Sequence, residues 1–308
     1  MLPFYIAGPT GSGKSAVAVE LALLCNGEIV NCDAFQLYKG MEILTAKPSA
    51  ADCARVPHHL YGIIDSSSDF DAASYASLAN ACINEIASRG SLPIVVGGSG
   101  LYMKALTHGM SPLPSGDAEL RTRLSEMGLA EKVTWLSRLD PVGAATIDLQ
   151  NSRYVERALE ISILCGKPAS QLKTDWALQE PVFRGVVLHW ERDALVDRIG
   201  ARTLAMAERG LVPEVAALQE LSKTAVKAIG IREIRAYLAG ETTLEAALEA
   251  MQVSTRRYAK RQRTWFRREK GFQSVCLSPG EDAKSTADTI ISLFPDLPAN
   301  DSRPPHSH

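Results

Sequence analysis

The chain has 308 residues, of which 46% are hydrophobic and 22% are charged, and its formal net charge is −2. This composition is typical of a water-soluble globular protein with one large domain and an appendage, or with two smaller domains. No apolar run approaches the roughly 18 residues of a membrane span, no basic leader precedes the first apolar run, and the six cysteines form no C-x-x-C pair. We therefore expect a cytoplasmic protein with reduced thiols and no membrane partner.

The first predicted element is a strand over residues 3–7, which runs into a glycine-rich turn and then a helix over residues 16–24. The turn reads Gly8-Pro9-Thr10-Gly11-Ser12-Gly13-Lys14-Ser15, which is the G-x-x-x-x-G-K-[ST] spacing of a P-loop. The glycines let backbone N–H groups point at phosphate oxygens, the lysine adds a mobile charge, and the Ser15 hydroxyl can hold Mg²⁺. The alternative is a flexible turn that matches by chance. Because a strand precedes it and a helix follows, this stretch predicts a site for a diphosphate or triphosphate.

A second predicted strand, residues 28–33, ends in the carboxylate of Asp33. Since the parallel strands of an α/β sheet end on the ligand side, Asp33 should face the P-loop crevice. There it could hold a cation, accept a proton from a nucleophile or cap a turn. With Lys14 and a cation close by, we do not expect the pKa of Asp33 to rise. Its position in a cleft favours a catalytic role.

The next buried strand, residues 92–98, ends in glycines instead of an acid, in the stretch Gly97-Gly98-Ser99-Gly100. P-loop ATPases commonly carry a magnesium-holding Walker-B aspartate at such a strand end. The glycines indicate that two backbone segments approach each other closely here. No acid is available at this point to position a water for hydrolysis of a nucleoside triphosphate.

After residue 110 the alternation of strands and helices gives way to helices alone. A Pro/Ser/Gly linker over 111–116 leads to helical stretches near 118–127, 132–139, 141–148, 153–164 and 169–172, and a strand returns only at 183–190. Further helices are predicted over 193–209, 212–221, 233–238 and 244–268, and an edge strand over 273–277. The predicted fold is α/β, a P-loop NTPase-like parallel-sheet core with an all-helical insertion domain. The expected boundaries are 1–112 with 183–295 for the core, 113–182 for the insertion, and 296–308 for a disordered tail.

Two arginines share one face of the predicted helix over 193–209, because Arg198 and Arg202 stand at i and i+4. Two guanidinium groups aimed at one crevice could neutralise a departing pyrophosphate. A solvated helix face, paired with Glu191 or Asp197, fits the spacing at least as well. Spacing alone leaves both possibilities open.

The predicted helix over 244–268 ends in a strongly basic stretch. Between residues 255 and 270 there are eight basic side chains and one acidic one. A single stripe is formed by Arg256, Lys260, Arg263 and Arg267. Because a plain solvated helix usually mixes both signs, this stretch favours a phosphate backbone as partner and salt-dependent binding. The insertion adds cations that have matching acids and are weaker indications: Arg121, Arg123, Arg153 and Arg157.

The residues by themselves indicate a transferase whose donor carries a diphosphate and whose acceptor is compatible with RNA. Their ordered motifs also resemble those of the tRNA dimethylallyltransferases, or tRNA isopentenyltransferases, over the stretch from Gly8 to about Arg268. Since no zinc-finger extension follows the basic helix, the bacterial type is expected. The motifs are the P-loop, DAFQLYKG from Asp33, TAKP from Thr45, PHHL from Pro57, VGGSGLY from Val96, RALE from Arg157 and AKRQRTWFR from Ala259.

This resemblance implies transfer of a dimethylallyl group from dimethylallyl diphosphate to N6 of the adenine on the 3′ side of the tRNA anticodon. Asp33 is then the general base, and the adenine is flipped out of the anticodon stem-loop. The P-loop holds the diphosphate, while Lys14, Ser15 with Mg²⁺, and Arg202 stabilise it as it departs; Arg198 is a further candidate for binding the diphosphate, on its spacing from Arg202. A monomer is expected. The resemblance also implies tRNA contacts for Asp33, Ala34, Phe35, Gln36, Ser99, Arg121, Arg153, Arg157, Gly230, Arg232, Lys260, Arg261, Arg263 and Arg267.

At four positions this chain departs from the family pattern. It has Ala34 where Ser is common, Ser99 where Thr is common, Leu44 where Gly is common and Ile231 where Tyr is common. Leu44 and Ile231 leave the local loop shape and RNA contacts open. Three other functions also stay open, namely a small-molecule kinase, a prenyltransferase for free adenylates and a non-catalytic RNA-binding protein. The basic helix weighs against the kinase, the long insertion against the adenylate enzyme, and the intact P-loop with Asp33 against the binding protein.

Overall fold

The computed structural model describes residues 1–109, 117–172 and 183–298. The chain divides into two compact units, Met1–Thr107 with Val182–His308, and His108–Pro181. The predicted linker over 111–116 and residues 299–308 of the predicted tail lie outside the described residues. Among the helices that are described, none combines the length and the apolar character needed to cross a lipid bilayer.

The first unit is built around a parallel sheet. Its strands are β1 (Phe4–Ala7), β2 (Gly27–Asn31), β3 (His58–His59), β4 (Leu92–Gly97), β5 (Arg184–Trp190) and β6 (Gln273–Leu277). They pair in the order β3-β2-β4-β1-β5-β6, and every pairing is parallel. This confirms the predicted parallel α/β core, and the predicted last strand does lie at an edge. The two-residue β3 is not predicted, because so short a strand has no room for an alternating pattern.

Helices are found where they were predicted, and those at 50–55, 100–107 and 283–293 are additional. In chain order they are α1 (Lys14–Leu24), α2 (Ala50–Arg55), α3 (Ala72–Ser88), α4 (Gly100–Thr107), α5 (Ala118–Glu126), α6 (Leu129–Leu139), α7 (Pro141–Thr146), α8 (Ser152–Cys165), α9 (Arg192–Glu208), α10 (Leu211–Ala217), α11 (Ile231–Leu238), α12 (Leu244–Phe266) and α13 (Ala283–Leu293).

The core of the first unit has a layer on each face of the sheet. Alternation along β1 sends Phe4 and Ile6 into the layer of α1 and α13, and Tyr5 into the layer of α3. Helix α13 is not predicted from the sequence, because its apolar stripe is short. Its start is fixed by Asp282, whose side chain accepts a hydrogen bond from Ser285 N at 2.7 Å.

Helix α12 turns one face inward and its cations outward. The inward positions Thr255, Ala259, Gln262 and Phe266 are buried and stand at i, i+4, i+7 and i+11. The exposed side includes Lys260, Arg261, Arg263 and Arg267. The predicted basic stretch is therefore accessible to a partner.

The second unit consists of helices α5 to α8 around its own apolar core. Leu124, Leu136, Val155 and Leu159 are almost completely buried there. The described residues 117–172 contain no strand, which agrees with the predicted all-helical insertion. Because α5 and α8 contact each other and α6 contacts both α7 and α8, the unit has the anatomy of a small helical domain.

Candidate active site

The predicted P-loop forms the turn between β1 and α1. Gly8 has φ +150°, and a Cβ there would overlap the carbonyl oxygen of Leu188 on the neighbouring strand β5, so only glycine fits. Ser12 is buried in the loop, and its Oγ has no hydrogen-bond partner among the described residues. An unpaired buried hydroxyl costs free energy unless a ligand satisfies it, so the turn forms a cradle suited to a phosphate oxygen.

Lys14 is folded over this loop, because its Nζ donates to the carbonyl oxygen of Pro9 at 2.8 Å. Burial lowers the pKa of the Lys14 ammonium to about 8; Asp33 opposes that shift and Arg202 adds to it. An anion bound in the cradle would favour the charged form of the amine. Lys14 is thus suited to respond to a phosphate.

Two arginines of α9 lie against the P-loop. Arg202 Nη2 donates to Thr10 Oγ1 at 2.8 Å. Arg198 Nε donates to the carbonyl oxygen of Gly11 at 2.9 Å, and its guanidinium lies 4.3 Å from the centre of the Trp190 ring. Burial lowers the pKa of both guanidinium groups.

The spacing of these arginines is compatible with a solvated helix face, but the structure has both of them at the loop. Neither forms an ion pair with Glu191 or Asp197 within the described part of the chain. The Nε of Arg202 is buried and has no hydrogen-bond partner within the described ranges. This donor remains for an oxygen of a ligand.

Asp33 follows β2 by two residues. Its Oδ1 accepts a hydrogen bond from Phe35 N at 3.0 Å, and its own N–H donates to Asn31 Oδ1 at 2.8 Å. The expectation that the pKa of Asp33 does not rise is wrong. Burial raises the pKa of the carboxyl group, and this effect outweighs the Phe35 N–H, the Lys14 ammonium and the Arg202 guanidinium, which all act in the opposite direction.

A cavity of about 280 Å³ lies beside the P-loop, and Thr10 of that loop, Asp33 and Arg202 all line it. Its other polar lining residues include Thr45, Lys227, Tyr258 and Arg261. An aromatic ring and aliphatic or thioether side chains supply the apolar lining: Phe35, Leu44, Met206, Ile229 and Met251. The cavity is therefore able to hold a diphosphate ester with an apolar group next to a nucleophile that Asp33 can deprotonate.

The glycine-rich end of β4 makes the predicted close approach. A Cβ on Gly97 would overlap the carbonyl oxygen of Cys32, and a Cβ on Gly98 would overlap the side-chain amide of Gln262. Gln262 donates from Nε2 to the Gly98 carbonyl oxygen at 2.8 Å and accepts from Thr10 N at 2.8 Å. Sequence reasoning missed this glutamine. The available signal was its place at i+7 from Thr255, on the inward face of α12.

The residues after Asp33 that the resemblance assigns to tRNA contacts also hold their own loop. The Ala34 N–H donates to Ser99 Oγ at 3.0 Å, so the hydroxyl that replaces the usual threonine is used. Gln36 Nε2 donates to the carbonyl oxygens of Thr45 and Ala46, at 2.9 and 3.0 Å. Gln36 thereby ties the Asp33 loop to the TAKP loop.

Gly230 is buried and has φ +106°. A Cβ there would lie 2.6 Å from Leu44 Cδ1, so the two positions pack together. Ile231 is buried in the same cluster, whereas Arg232 is exposed and pairs with Glu233. The two unusual residues, Leu44 and Ile231, are thus accommodated within one apolar core.

Glu214 of α10 is a second residue that sequence reasoning missed. Its two carboxylate oxygens accept hydrogen bonds from Ile43 N and Leu44 N, each at 2.7 Å. This fixes the backbone of the loop that contributes Leu44 and Thr45 to the cavity. No sequence pattern links a glutamate to two backbone N–H groups about 170 residues away.

In the second unit, the predicted RNA-contacting arginines are near an acid. Arg121 Nε lies 2.8 Å from Glu160 Oε1, and Arg157 pairs with the same buried glutamate. Arg153 is exposed and has no ion pair among the described residues. The matching acids that the sequence suggested are therefore present for two of the three arginines.

The fold and the site define a P-loop α/β protein in which an aspartate follows β2 and glycines follow β4. The model of the family described as IPP transferase matches residues 36–269. The chain therefore belongs to the IPP transferase family.

Curated relatives and solved structures agree with this assignment. The chain is 44% identical over 290 residues to the tRNA dimethylallyltransferase of Akkermansia muciniphila, covering 94% of this chain and 98% of the relative. It is 43% identical over 291 residues to that of Geobacter sulfurreducens, covering 91% and 94%. The full-length tRNA isopentenylpyrophosphate transferase of Bacillus halodurans superposes with a TM-score of 0.70 at 36% identity, covering 96% of each chain. A eukaryotic dimethylallyltransferase described as acting on tRNA gives 0.81 at 26% identity, covering 98% of this chain and 82% of the other.

Proposed function

We propose that this chain transfers a dimethylallyl group from dimethylallyl diphosphate to N6 of the adenine on the 3′ side of the anticodon in tRNA, and releases diphosphate. The cavity beside the P-loop is the observation that carries this proposal. Its lining includes Thr10 of the P-loop, the Asp33 carboxylate, whose pKa is raised, and an apolar surface. These are the three parts that an alkyl transfer from a diphosphate to an amine requires.

The diphosphate of the donor binds to the P-loop in this proposal. Ser12 Oγ and Arg202 Nε are donors that have no partner in the part of the chain that the structure describes, and the Lys14 ammonium can leave Pro9 for a phosphate oxygen. Arg198 adds a second guanidinium at Gly11. Together they neutralise the charge that develops on the leaving diphosphate.

The residues at the cradle fit a Mg²⁺ ion that is held mainly by diphosphate oxygens and water. Ser15 is exposed in the first turn of α1 and supplies a hydroxyl oxygen. The described residues contain no group of three or more His, Cys, Asp or Glu that would hold a cation by itself. Proteins commonly bind Mg²⁺ through one or two of their own oxygens together with substrate phosphates and water. When bound, the ion would neutralise part of the diphosphate charge.

Asp33 accepts the proton in the transfer. The N6 nitrogen forms a bond to C1 of the allyl group, and the C1–O bond breaks with its electron pair going to the diphosphate. The proton of N6 passes to the Asp33 carboxylate. Because burial raises the pKa of Asp33, this carboxylate is a stronger base than an exposed one.

The acceptor is tRNA, whose adenine must leave the stack to enter the cavity. The exposed cations of α12 are suited to the phosphate backbone, and Tyr258 and Arg261 of the same helix line the cavity. We propose that Arg153, Arg232 and the exposed α12 cations contact the anticodon stem-loop. We also propose that the chain acts as a monomer in the cytoplasm.

One assay tests this function against its rivals. The chain is incubated with Mg²⁺ and dimethylallyl diphosphate labelled in the allyl group, and with either unmodified tRNA or AMP. We expect label in tRNA, at the adenine next to the anticodon. Label in AMP alone would identify an adenylate prenyltransferase, and label in neither acceptor would contradict the proposal. Phosphoryl transfer from ATP, measured in parallel, would identify a kinase.

Affinity for the donor is expected to fall as the pH rises through about 8. The Lys14 ammonium has a pKa near 8 in the free protein, and only its charged form attracts the diphosphate. Titration calorimetry with a non-reactive thiolodiphosphate analogue between pH 6.5 and 9.5 measures the effect. The Lys14→Ala variant should bind weakly at all pH values and lack the step. A step of the same size in the variant would assign it to another group.

Lys260→Ala is expected to weaken tRNA binding and to reduce the slope of log K against log salt by about one. Lys260 is exposed on α12 and has no ion pair among the described residues. Fluorescence anisotropy with a labelled anticodon stem-loop over a salt series gives the slope. Lys284→Ala, which removes an exposed cation of α13, is the control and should leave it unchanged. An unchanged slope for Lys260→Ala would remove this position from the interface.

A further inference from the structure

Gln262 joins three elements that are far apart in the sequence. It belongs to α12, its Oε1 accepts from Thr10 N in the P-loop, and its Nε2 donates to the carbonyl oxygen of Gly98 after β4. The side chain is only 5% exposed. Both hydrogen bonds are 2.8 Å long, so the amide has one donor and one acceptor satisfied by backbone groups.

The glycine at the end of β4 is the counterpart of this amide. A Cβ at Gly98 would overlap Gln262 Nε2 and lie 3.0 Å from the carbonyl oxygen of Gly8. An acid at position 98 would therefore collide with both the amide and the P-loop. The side-chain amide of Gln262 thus occupies the space that an acidic side chain at position 98 would need.

Thr10 is the residue through which Gln262 can affect the donor site. Its N–H is bound by Gln262, its Oγ1 receives Arg202 Nη2, and it lines the cavity. If the Thr10 peptide turned, the hydroxyl that anchors Arg202 would move with it. The orientation of the guanidinium that faces the diphosphate thus depends on a hydrogen bond from α12.

We propose that Gln262 is a positioning residue that fixes the P-loop, through Thr10, in the geometry that binds the donor diphosphate. The KM measurement in its test rests on the proposed function, whereas the measurement of diphosphate binding does not. Gln262 faces inward, whereas the RNA-directed cations of α12 face outward. Loss of the amide should therefore weaken donor binding and leave the affinity for tRNA unchanged.

The test compares Gln262→Met, which removes both hydrogen bonds at similar volume, with Gln252→Met on the same helix. The side chain of Gln252 has no hydrogen bond among the described residues and lies outside the cavity. We expect the Kd for inorganic diphosphate with Mg²⁺, and the KM for dimethylallyl diphosphate, to rise about tenfold in Gln262→Met. The KM and Kd for tRNA should stay within twofold. Gln252→Met should leave all four constants unchanged.

Gln262→Glu gives a readout that a merely structural residue would not move. The ionised carboxylate can accept from Thr10 N but cannot donate to Gly98 O, whereas the protonated acid can do both. The diphosphate affinity of this variant, relative to the unaltered chain at the same pH, should recover as the pH falls. The Gln262→Glu variant also allows the proposal to be tested if Gln262→Met fails to fold.

Three outcomes would overturn the proposal: diphosphate affinity within twofold of the unaltered chain in a folded Gln262→Met, an equal loss for tRNA and diphosphate, or no recovery of Gln262→Glu at low pH. Failure of the proposed function is distinguishable from these. If the unaltered chain binds diphosphate through the Gln262-dependent loop but labels no tRNA, the positioning role stands and the function is wrong.

Discussion

Asp33→Asn is expected to lower kcat for prenyl transfer by about 10²–10⁴-fold, the usual contribution of a general base. Asparagine keeps the oxygen that accepts the Phe35 N–H, so the loop after β2 should stay in place. The amide cannot take the proton of N6. Because the substitution removes the proton acceptor and preserves the loop, tRNA affinity should remain within a few-fold.

Single-turnover kinetics with saturating tRNA and labelled donor measures the chemical step of this variant directly. Asp65→Asn is the matched control, since Asp65 is exposed and pairs with Lys39 at the surface. It should leave kcat unchanged. If Asp33→Asn lost tRNA affinity while its single-turnover rate stayed normal, Asp33 would be an RNA ligand and not the base.

Arg202→Gln is expected to lower kcat by about 10²–10³-fold, the range found when one donor to a developing anion is removed. The guanidinium of Arg202 is largely buried and donates to Thr10, and its Nε has no partner among the residues that the structure describes. Glutamine keeps a side-chain donor near Thr10 Oγ1 but carries no charge. The loss should therefore appear in the transition state, where the diphosphate charge is greatest, more than in donor binding.

The kcat and KM values for the donor, measured at saturating Mg²⁺ and tRNA, separate these two effects. Arg209→Gln is the control, because Arg209 is exposed at the C-terminal end of the same helix. A rise in donor KM with normal kcat in Arg202→Gln would mean that this arginine binds the donor equally in the ground and transition states.

The parts of the site that are local in the sequence were predictable from it. The P-loop depends on a fixed spacing between a strand and a helix, and Asp33 depends on the rule that parallel strands end on the ligand side. The sheet follows from the alternation of buried strands and helices. The exposed face of α12 follows from the helical period.

The remaining parts depend on contacts between distant residues. Thr10 and Gln262 are 252 positions apart, and no periodicity relates them. The same holds for Glu214 and the backbone of the loop at Leu44. The pKa of Asp33 was misjudged for a related reason, because its burial comes from the surrounding fold whereas the opposing cations can be read from the motif.

Positions 198 and 202 show where spacing is insufficient. Two arginines at i and i+4 fit either solvent or a crevice, and the choice depends on how α9 packs. Leu195 and Ile199 of the same helix lie beneath Gly11, within 3.4 Å of where its Cβ would be. This packing turns Arg198 and Arg202 toward the loop.

A structure of the chain with an anticodon stem-loop RNA and dimethylallyl thiolodiphosphate tests the account most directly. We expect the diphosphate on the glycine turn, in contact with Lys14 and Arg202, and an Asp33 oxygen about 3 Å from N6 of an unstacked adenine. A diphosphate bound outside that turn, or an Asp33 carboxylate directed away from the adenine, would contradict the account.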